Sequence, residues 1–544
     1  MSMIGIAAAV LASVLVPSTA QAAETLLSQG RPATASSIEG SGFEAAKAVD
    51  GNASSRWASV EGHDPEWIQV DLGSAQPISR VKLTWEAAYA KSYQVKISTN
   101  GTSWTDAFTT TSGNGATDDL TVSGTARYVR VNGTARGTAY GYSLFEFQVY
   151  GGDGGPPPGG GEGAVPFGSH TIPYAAGMLK PSGTQAANDA KVVDYYQRWK
   201  AAFVRQNCGN GWYQVISPDA DHPYVAEAQG YGMVIAATMA GADPDAKKIF
   251  DGLVKWKLDH PSSGNPDLLA AEQDTGCRSV NGGDAATDGD MDVAYGLLLA
   301  DRQWGSAGTY NYKQLAIKHI NAIKASEINP STNLLKLGDW TSNGDQYYYI
   351  SRTSDWMVDH FRAFRAATGD SAWDTIRNAH QTLITNLQNG FASGTGLLPD
   401  FVVNTNSSPK PAPGQVLEDP NDGQFWWNAC RTPWRVGADA VTGGDTKSLT
   451  AARKLNTWIK SKTGGNPNQI AIGYKLNGTQ IDSGSEPAFF APFAVTAMTD
   501  ADSQAWLDAL WNKMLTTPIG TDSYYSASIQ LQVMITVTHN HWVP

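Results

Sequence analysis

Hydrophobic and polar positions along this chain fall into two textures, separated by a stretch that has neither. From about residue 23 to 150 they alternate with a period of two, as in Trp67-Ile68-Gln69-Val70-Asp71-Leu72, Tyr93-Gln94-Val95-Lys96-Ile97 and Tyr128-Val129-Arg130-Val131. Side chains alternate across a strand, so each run puts one face on a core and one in water, with Gly, Asn and Ser clusters marking the turns between. Short strands at this spacing predict an all-β sandwich. From Pro166 onward the apolar positions recur every three or four residues instead. That period predicts helices over 187–203, 226–239, 246–258, 290–303, 312–326, 354–367, 372–389, 435–440, 449–463, 486–498 and 502–516. Eleven or twelve helices joined by loops predict stacked helical hairpins closing into an (α/α) barrel. Residues 151–165 contain Gly154-Gly155-Pro156-Pro157-Pro158-Gly159-Gly160-Gly161, a composition that cannot bury a core and reads as a linker.

Two further patterns change the picture. Residues 4–16 are almost wholly apolar, Pro17 breaks the run, and Ala20-Gln21-Ala22 supplies a small-x-small cleavage site. Residues 1–22 therefore read as a signal peptide, although a basic leader segment is missing, and the mature protein is expected outside the cell. No later stretch of eighteen apolar residues predicts a membrane span. The chain has three cysteines, enough for one disulfide. Cys208–Cys277 is the expected pair, because Cys430 lies in a predicted buried helix.

Composition narrows the partners. A net charge of -12 argues against nucleic acid or an anionic membrane and for a neutral or cationic ligand. The chain also carries 18 Trp and 21 Tyr, rings that stack on sugar faces, although most belong in cores.

Candidate chemistry concentrates in three motifs. In Ala286-Thr287-Asp288-Gly289-Asp290-Met291-Asp292, three carboxylates precede an apolar helical run. One acid suffices as a cap favoured by the helix dipole, so three exceed that need. Glu227-Ala228-Gln229-Gly230-Tyr231-Gly232 opens another helix, and its two glycines predict that something approaches the backbone closely. The third is Trp426-Trp427-Asn428-Ala429-Cys430-Arg431-Thr432-Pro433.

The first two motifs, with Ala294, Ala300 and Trp304 downstream, resemble glycoside hydrolase family 8 over about residues 166–544. The resemblance implies an (α/α)6 barrel and an inverting endo-β-1,4-glycanase needing no cofactor for catalysis. It implies Glu227 as general acid and Asp288 as the residue that binds the distorted sugar at the cleavage point. Inversion needs a second carboxylate to activate water from the opposite face. Endoglucanases of the family place an aspartate where this chain has Asn428, and an amide cannot take a proton from water. At that point the chain resembles the chitosanase and lichenase branch, whose base is a glutamate in the preceding loop. Glu418 is that candidate, with Asp419 and Asp422 as rivals and Asn428 left to orient water or sugar.

The acid must stay protonated near neutral pH, and the Asp288–Asp290–Asp292 cluster could raise its pKa by like-charge repulsion. Arg352, Ser354, Asp355, His360 and Arg362 also match the family, with structural support the expected role for most. Trp212, Trp340, Tyr347, Trp426, Trp427 and Tyr524 are stacking candidates in loops. Tyr231 and Arg431 join them as substrate-binding candidates.

The N-terminal region, with Ala48-Val49-Asp50-Gly51-Asn52 and Trp67-Ile68-Gln69-Val70-Asp71-Leu72-Gly73, resembles the discoidin (F5/8 type C) fold and family 32 carbohydrate-binding modules. That likeness implies sugar binding by end loops, with Glu39, Glu61 and Tyr142 as candidates. It also implies a structural calcium held by Asp50, Asn52, Ser55 and Glu146. The resulting expectation is a secreted monomer with two domains, a sandwich at 23–150 and a barrel at 166–544. It hydrolyses a polysaccharide, with chitosan the first choice and lichenan or cellulose the alternative. A catalytically silent glycan-binding protein is the reading from another class.

Overall fold

The computed structural model describes residues 25–151, 164–218, 221–520 and 523–544. The expected signal peptide and most of the Gly/Pro stretch lie outside the described residues. The chain divides into two units, residues 1–155 and 156–544. Gly151, taken from sequence as the first linker residue, pairs with Thr25 at the end of a strand. Val165, taken as the last, is buried and bonded to the Gln303 side chain.

Among the described residues the first unit has eight strands: β1 (Thr25–Leu26), β2 (Ala33–Ala35), β3 (Trp57–Ala58), β4 (Glu66–Trp85), β5 (Ala90–Ser98), β6 (Thr105–Thr110), β7 (Thr117–Arg136) and β8 (Ser143–Gly151). They join in the order β1-β8-β4-β7-β5-β6, with β2 on β4 and β3 on β8. Two strands are much longer than the alternation predicts. A register shift falls inside β4 between Asp71 and Gln76, and a second follows between Ile78 and Arg80. Extra residues in one strand bend it and raise its twist. The bent β4 therefore carries β2 at Ile68–Val70 and β8 at Arg80–Trp85. The sheet folds over a core that includes Trp57, Val70, Leu83, Tyr93 and Phe147.

The second unit is helical. Its helices are α1 (Gln185–Phe203), α2 (Ala226–Thr238), α3 (Ala246–Asp259), α4 (Thr287–Trp304), α5 (Tyr312–Ser326), α6 (Val358–Thr368) and α7 (Ala372–Gly390). They continue with α8 (Thr432–Gly443), α9 (Thr446–Lys462), α10 (Pro487–Phe490), α11 (Pro492–Ala497), α12 (Gln504–Thr516) and α13 (Tyr524–Val537). Pro492 lacks an N–H and divides one predicted helix into α10 and α11. Among the described residues, counting those two as one leaves twelve segments, hence six hairpins. An inner ring closes on itself in the order α2, α4, α6, α8, α11, α13, and each inner helix packs on an outer neighbour: α3, α5, α7, α9, α12 and α1.

Sequence pattern explains the two rings. Every residue of α2 except Glu227 is buried, as an inner helix requires, whereas α3 and α7 bury one face only. Helix α13 is absent from the sequence-based prediction for a related reason. It buries Ser528, Gln530, Gln532 and Thr536 alongside its apolar residues, so no apolar stripe marks it. The stretch 354–367 also differs from expectation. The helix starts at Val358, and Thr353–Asp355 form a separate 3-10 turn. Cys208 and Cys277 are bonded, with Cα atoms 6.0 Å apart, and Cys430 is free and buried, as expected.

Candidate active site

The inner helices present their N-terminal ends to one shared cluster. Glu227 lies in the first turn of α2 and Asp288 in that of α4. The glycines of the two motifs bring these helices together. A Cβ on Gly230 would sit 2.9 Å from the Gly289 carbonyl oxygen, and one on Gly289 would sit 2.6 Å from the Ala226 carbonyl carbon. This is the close backbone approach that the glycines predict, and it sets Glu227 beside Asp288.

Arg431, just before α8 and 1% exposed, ties the cluster together. It donates to Glu227 Oε2, lies 3.2 Å from Asp288, and donates to Ser354 Oγ at 2.9 Å and to Asn428 Oδ1 at 3.0 Å. Tyr524 donates its hydroxyl to Glu227 Oε1 at 2.7 Å. On the far side, Asn428 Nδ2 donates to Glu418 Oε2 at 2.7 Å. Arg352 bridges Asp288, at 3.4 Å, and Glu418, at 3.3 Å. One hydrogen-bonded chain thus runs from Glu227 through Arg431 and Asn428 to Glu418.

The two ends differ electrostatically. Burial pushes Glu227 up to about 7, and the charge on Asp288 adds to this against the opposing pull of Arg431. Asp355 is likewise pushed up to about 7 by burial, against the pull of Arg352. Burial acts on Asp288 too, but Arg352 and Arg431 outweigh it and hold that carboxyl down at about 2. The Glu418 side chain keeps 42% of its surface exposed, where water reaches it.

The Glu418 loop explains why its rivals do not qualify. Asp422 is fully buried, and its carboxylate accepts the backbone N–H groups of Val416, Leu417, Glu418 and Asp419 at 2.8–3.2 Å. Asp419 accepts the backbone and side-chain N–H groups of Asn421. Both shape the loop and leave Glu418 as the open carboxylate.

A second tier lies one helical turn deeper. Asp292 is paired with Arg435 at 2.6 Å and with His360 Nε2 at 2.9 Å, and Asp359 holds the other His360 nitrogen at 2.9 Å. Asp290 pairs with His319 at 2.8 Å. Asp292 is thus neutralised locally by Arg435, whereas burial pushes the His319 imidazole down and Asp290 also accepts the Leu269 N–H at 2.9 Å. Of the three aspartates, Asp288 is the one whose charge raises Glu227, and burial does more than repulsion.

In the first unit, loops from residues 37–42, 59–64 and 136–142 meet at one end. Glu39 N–H bonds Ala58, Val60 N–H bonds Ser37, and Ser59 Oγ accepts from the Tyr142 N–H. Near η-turn 45–48, Ser55 donates to the Asp50 carboxylate at 2.8 Å, and Asn52 N–H donates to Asp50 at 2.9 Å. Glu146 Oε1 is buried with no hydrogen-bond partner, and burial together with Asp50 pushes its carboxyl up to about 6. No cluster of three or more His, Cys, Asp or Glu side chains gathers around a metal-sized space among the described residues.

Comparison with known proteins identifies both units. Residues 174–539 match the glycosyl hydrolases family 8. The chain belongs to that family. Residues 32–147 match the F5/8 type C domain. A beta-glucanase of Niallia circulans is 44% identical over 69% of this chain and 91% of its own length. The apo structure of a beta-1,3-1,4-glucanase from Paenibacillus sp. X4 is 43% identical, covers 70% of this chain and all of its own, and superposes with a TM-score of 0.68. Over 24% of this chain, and all of its own length, a chitosan-binding module of a chitosanase/glucanase from Paenibacillus sp. IK-5 is 56% identical, with a TM-score of 0.24. The protein is a glycoside hydrolase, and family 8 enzymes invert the anomeric centre without a cofactor.

Several residues expected in this family 8 site stand elsewhere than the sequence predicts. Tyr231 is fully buried behind Arg431, which donates to its hydroxyl at 3.3 Å, so it supports the site from beneath. Arg431 is itself buried among carboxylates rather than open to a sugar. Tyr524 begins α13 instead of a loop, and it holds Glu227. Trp212 donates to Asp259 at 2.6 Å and packs edge-on against Trp256, which anchors it to α3. Trp340 and Tyr347 pack edge to face at 5.4 Å, beside Val416 and Leu417 of the Glu418 loop. Trp427, 37% exposed, is the most open of the stacking candidates, with Trp426 edge-on to it.

Asp355, Asp359 and Arg362 do not form surface pairs along one helix. Asp355 and Asp359 are buried, and Arg362 reaches across to Asp439 and to Asp445 at 3.0 Å. Asp400, buried beneath Asn428, has no sequence signal, since a lone aspartate after Pro399 in a short apolar run belongs to no motif. In the F5/8 type C unit, Tyr142 is 1% exposed and bonded to Asp64, so its ring is core. The exposed aromatic of those end loops is Tyr140, at 59%. Glu39 is ion-paired with Arg56 at 3.7 Å, and Glu61 is exposed.

Proposed function

We propose that this chain is a secreted, monomeric endo-β-glucanase that cleaves β-1,4 bonds in mixed-linkage and β-1,4 glucans. The observation that carries this reading is the bonded chain joining a buried, proton-retaining Glu227 to an exposed Glu418. Glu227 gives its proton to the leaving oxygen, and Glu418 takes one from water on the opposite face of the sugar. Tyr524 and Arg431 aim the acid, while Asn428 and Arg352 aim the base. Ionised Asp288 accepts hydroxyl hydrogens of the sugar at the cleavage point. Trp426 and Trp427 offer ring faces to neighbouring sugars.

Charge favours a neutral glucan over chitosan. Asp288 and Glu418 share Arg352 and Arg431, and Glu227 retains its proton, so the site has no surplus negative charge for a polycation. The names of the relatives matching most of the catalytic unit point the same way. The apolar stretch at 4–16 supports secretion. In the N-terminal unit, loops bearing Glu39, Glu61 and Tyr140 bind glycan. The orphaned Glu146 Oε1 beside Asp50 suits a calcium ion, held with Asn52 and Ser55, which would supply the charge that lets Glu146 ionise.

The test is to incubate the purified enzyme separately with lichenan, carboxymethyl-cellulose and chitosan and follow product anomers by NMR. Lichenan and the cellulose derivative turn over faster than chitosan, with α-anomers first. Fastest turnover on chitosan overturns the substrate reading, and β-anomers first overturn the mechanism. Absence of turnover on all three favours a silent glycan binder.

A further inference from the structure

We propose that Asp400 is a positioning residue that fixes the orientation of the Asn428 amide and, through it, the carboxylate of Glu418. The inference rests on Glu418 as the base. Asp400 is 1% exposed and pinned through its backbone: its N–H donates to Gln424 at 2.8 Å, and its carbonyl accepts from Thr353 at 3.0 Å. Its carboxylate is ringed by donors. Oδ1 accepts the backbone N–H groups of Trp426, at 2.9 Å, and Ala429, at 2.7 Å. Oδ2 accepts the Asn428 backbone N–H at 3.1 Å and its Nδ2–H at 3.4 Å. Burial pushes the Asp400 carboxyl up to about 7 against the pull of the Ala429, Asn428 and Trp426 N–H groups; a carboxylate satisfies such a ring of N–H donors, and a carboxylic acid O–H does not.

An asparagine amide fits the same space in two orientations, and its hydrogen bonds choose between them. Here the NH2 half faces two carboxylate oxygens, Asp400 Oδ2 and Glu418 Oε2, and the oxygen half faces the Arg431 guanidinium. Flipping the amide would set its oxygen against both carboxylates and its NH2 against Arg431. Asp400 therefore opposes the flip on the side away from solvent and keeps a donor aimed at Glu418. It also fixes the backbone of the turn that carries Trp426, Asn428 and Arg431. Asp400 touches no reacting atom in this scheme and acts through Asn428.

Asp400→Asn tests this, because in either amide orientation its Nδ2 sets a donor against a pair of donors, those of Asn428 or the N–H groups of Trp426 and Ala429. The variants D400N, N428A and the double variant are compared with wild type for kcat and KM on the best polysaccharide substrate, with E418Q alongside. Misplacing a reacting group by about 1 Å costs about a hundredfold, so D400N is expected to lose roughly 10- to 100-fold in kcat, with KM within about threefold. The loss persists on an aryl cello-oligosaccharide with an acidic phenol leaving group, where the acid has little left to do. In the N428A background, D400N costs several-fold less than in wild type, because the part of its loss that runs through the Asn428 amide is already gone and only its hold on the turn remains.

Losses that multiply in the double variant overturn the inference, as does a D400N kcat within about threefold of wild type, or a loss confined to KM. If D400N does not fold, Asp400→Ser, which keeps a small acceptor and adds no amide donor, runs through the same cycle with the same criteria. An active E418Q would defeat the base assignment and the inference with it. An inactive E418Q beside a fully active D400N defeats the inference alone.

Discussion

Two Asp–Arg pairs stand one helical turn apart in the barrel. Asp288 and Asp292 occupy one face of α4, and Arg431 and Arg435 sit at the same spacing at the start of α8. The deeper pair is closed. Arg435 makes two bonds to Asp292, at 3.2 and 2.6 Å, His360 completes it, and Asp359 and His541 extend the chain of alternating charge. Burial opposes the charge on Asp292, but Arg435 and His360 hold its carboxyl below the usual range. The upper pair is open. Four carboxyl groups, Glu227, Asp288, Asp355 and Glu418, gather around two cations, Arg352 and Arg431. Burial pushes Glu227 and Asp355 up, and with only two cations for four carboxyl groups these two retain protons. The same residue types give a structural strut where the charges balance and a proton donor where they do not.

The largest expected effect falls on the open tier. Glu227→Gln and Glu418→Gln each lose on the order of 10²–10⁴ in kcat. They separate in pH dependence: the residual activity of E418Q keeps a basic limb near 7 set by Glu227, and that of E227Q loses it. A basic limb surviving in E227Q would assign the acid elsewhere.

Next comes stability. Removing one partner of a buried pair costs about 3–5 kcal/mol, so Arg435→Met lowers unfolding free energy by that much in denaturant titration. Arg431→Met costs less, because Arg352 still compensates Asp288, yet it abolishes turnover. Equal destabilisation by the two would break the comparison.

A smaller effect is expected in the pH dependence of stability. Glu227 and Asp355 hold protons in the folded state up to about 7, whereas the unfolded chain loses them in the ordinary carboxylate range. Their contribution is thus full at low pH and lost as pH rises toward 7. Asp288 and Asp292 have the opposite sign, stabilising above the ordinary range and losing that contribution as pH falls. Asp355→Asn therefore flattens the loss of melting temperature between about pH 5 and 7. An unchanged slope removes Asp355 from the set of proton-retaining groups. The smallest effect is on binding at the rim, where Trp427→Ala raises KM several-fold with kcat nearly unchanged.

Much of this was legible in the chain, for identifiable reasons. The motifs around Glu227 and Asp288 announced a close helix pair because glycine inside a helix marks backbone contact. Glu418 was expected as the base because of Asn428, and the structure sets it within hydrogen-bond reach of that amide. The disulfide and the two-unit division were also readable. Tyr142 was misplaced because an aromatic in a loop sequence gives no sign of which way its ring turns. Tyr524 was misplaced because α13 buries polar residues around its circumference and leaves no stripe to read.

The sequence by itself determined most of the helices and which acids stand at their starts, because those properties repeat locally with the helical period; α13, which buries polar residues around its circumference, escaped it. Tertiary structure alone decided which carboxyl keeps its proton. That depends on how many cations converge from other helices and on how much water is excluded. It also decided that Asp400 lies beneath Asn428: both belong to the connection from α7 to α8, which folds back on itself in a way that no local period encodes.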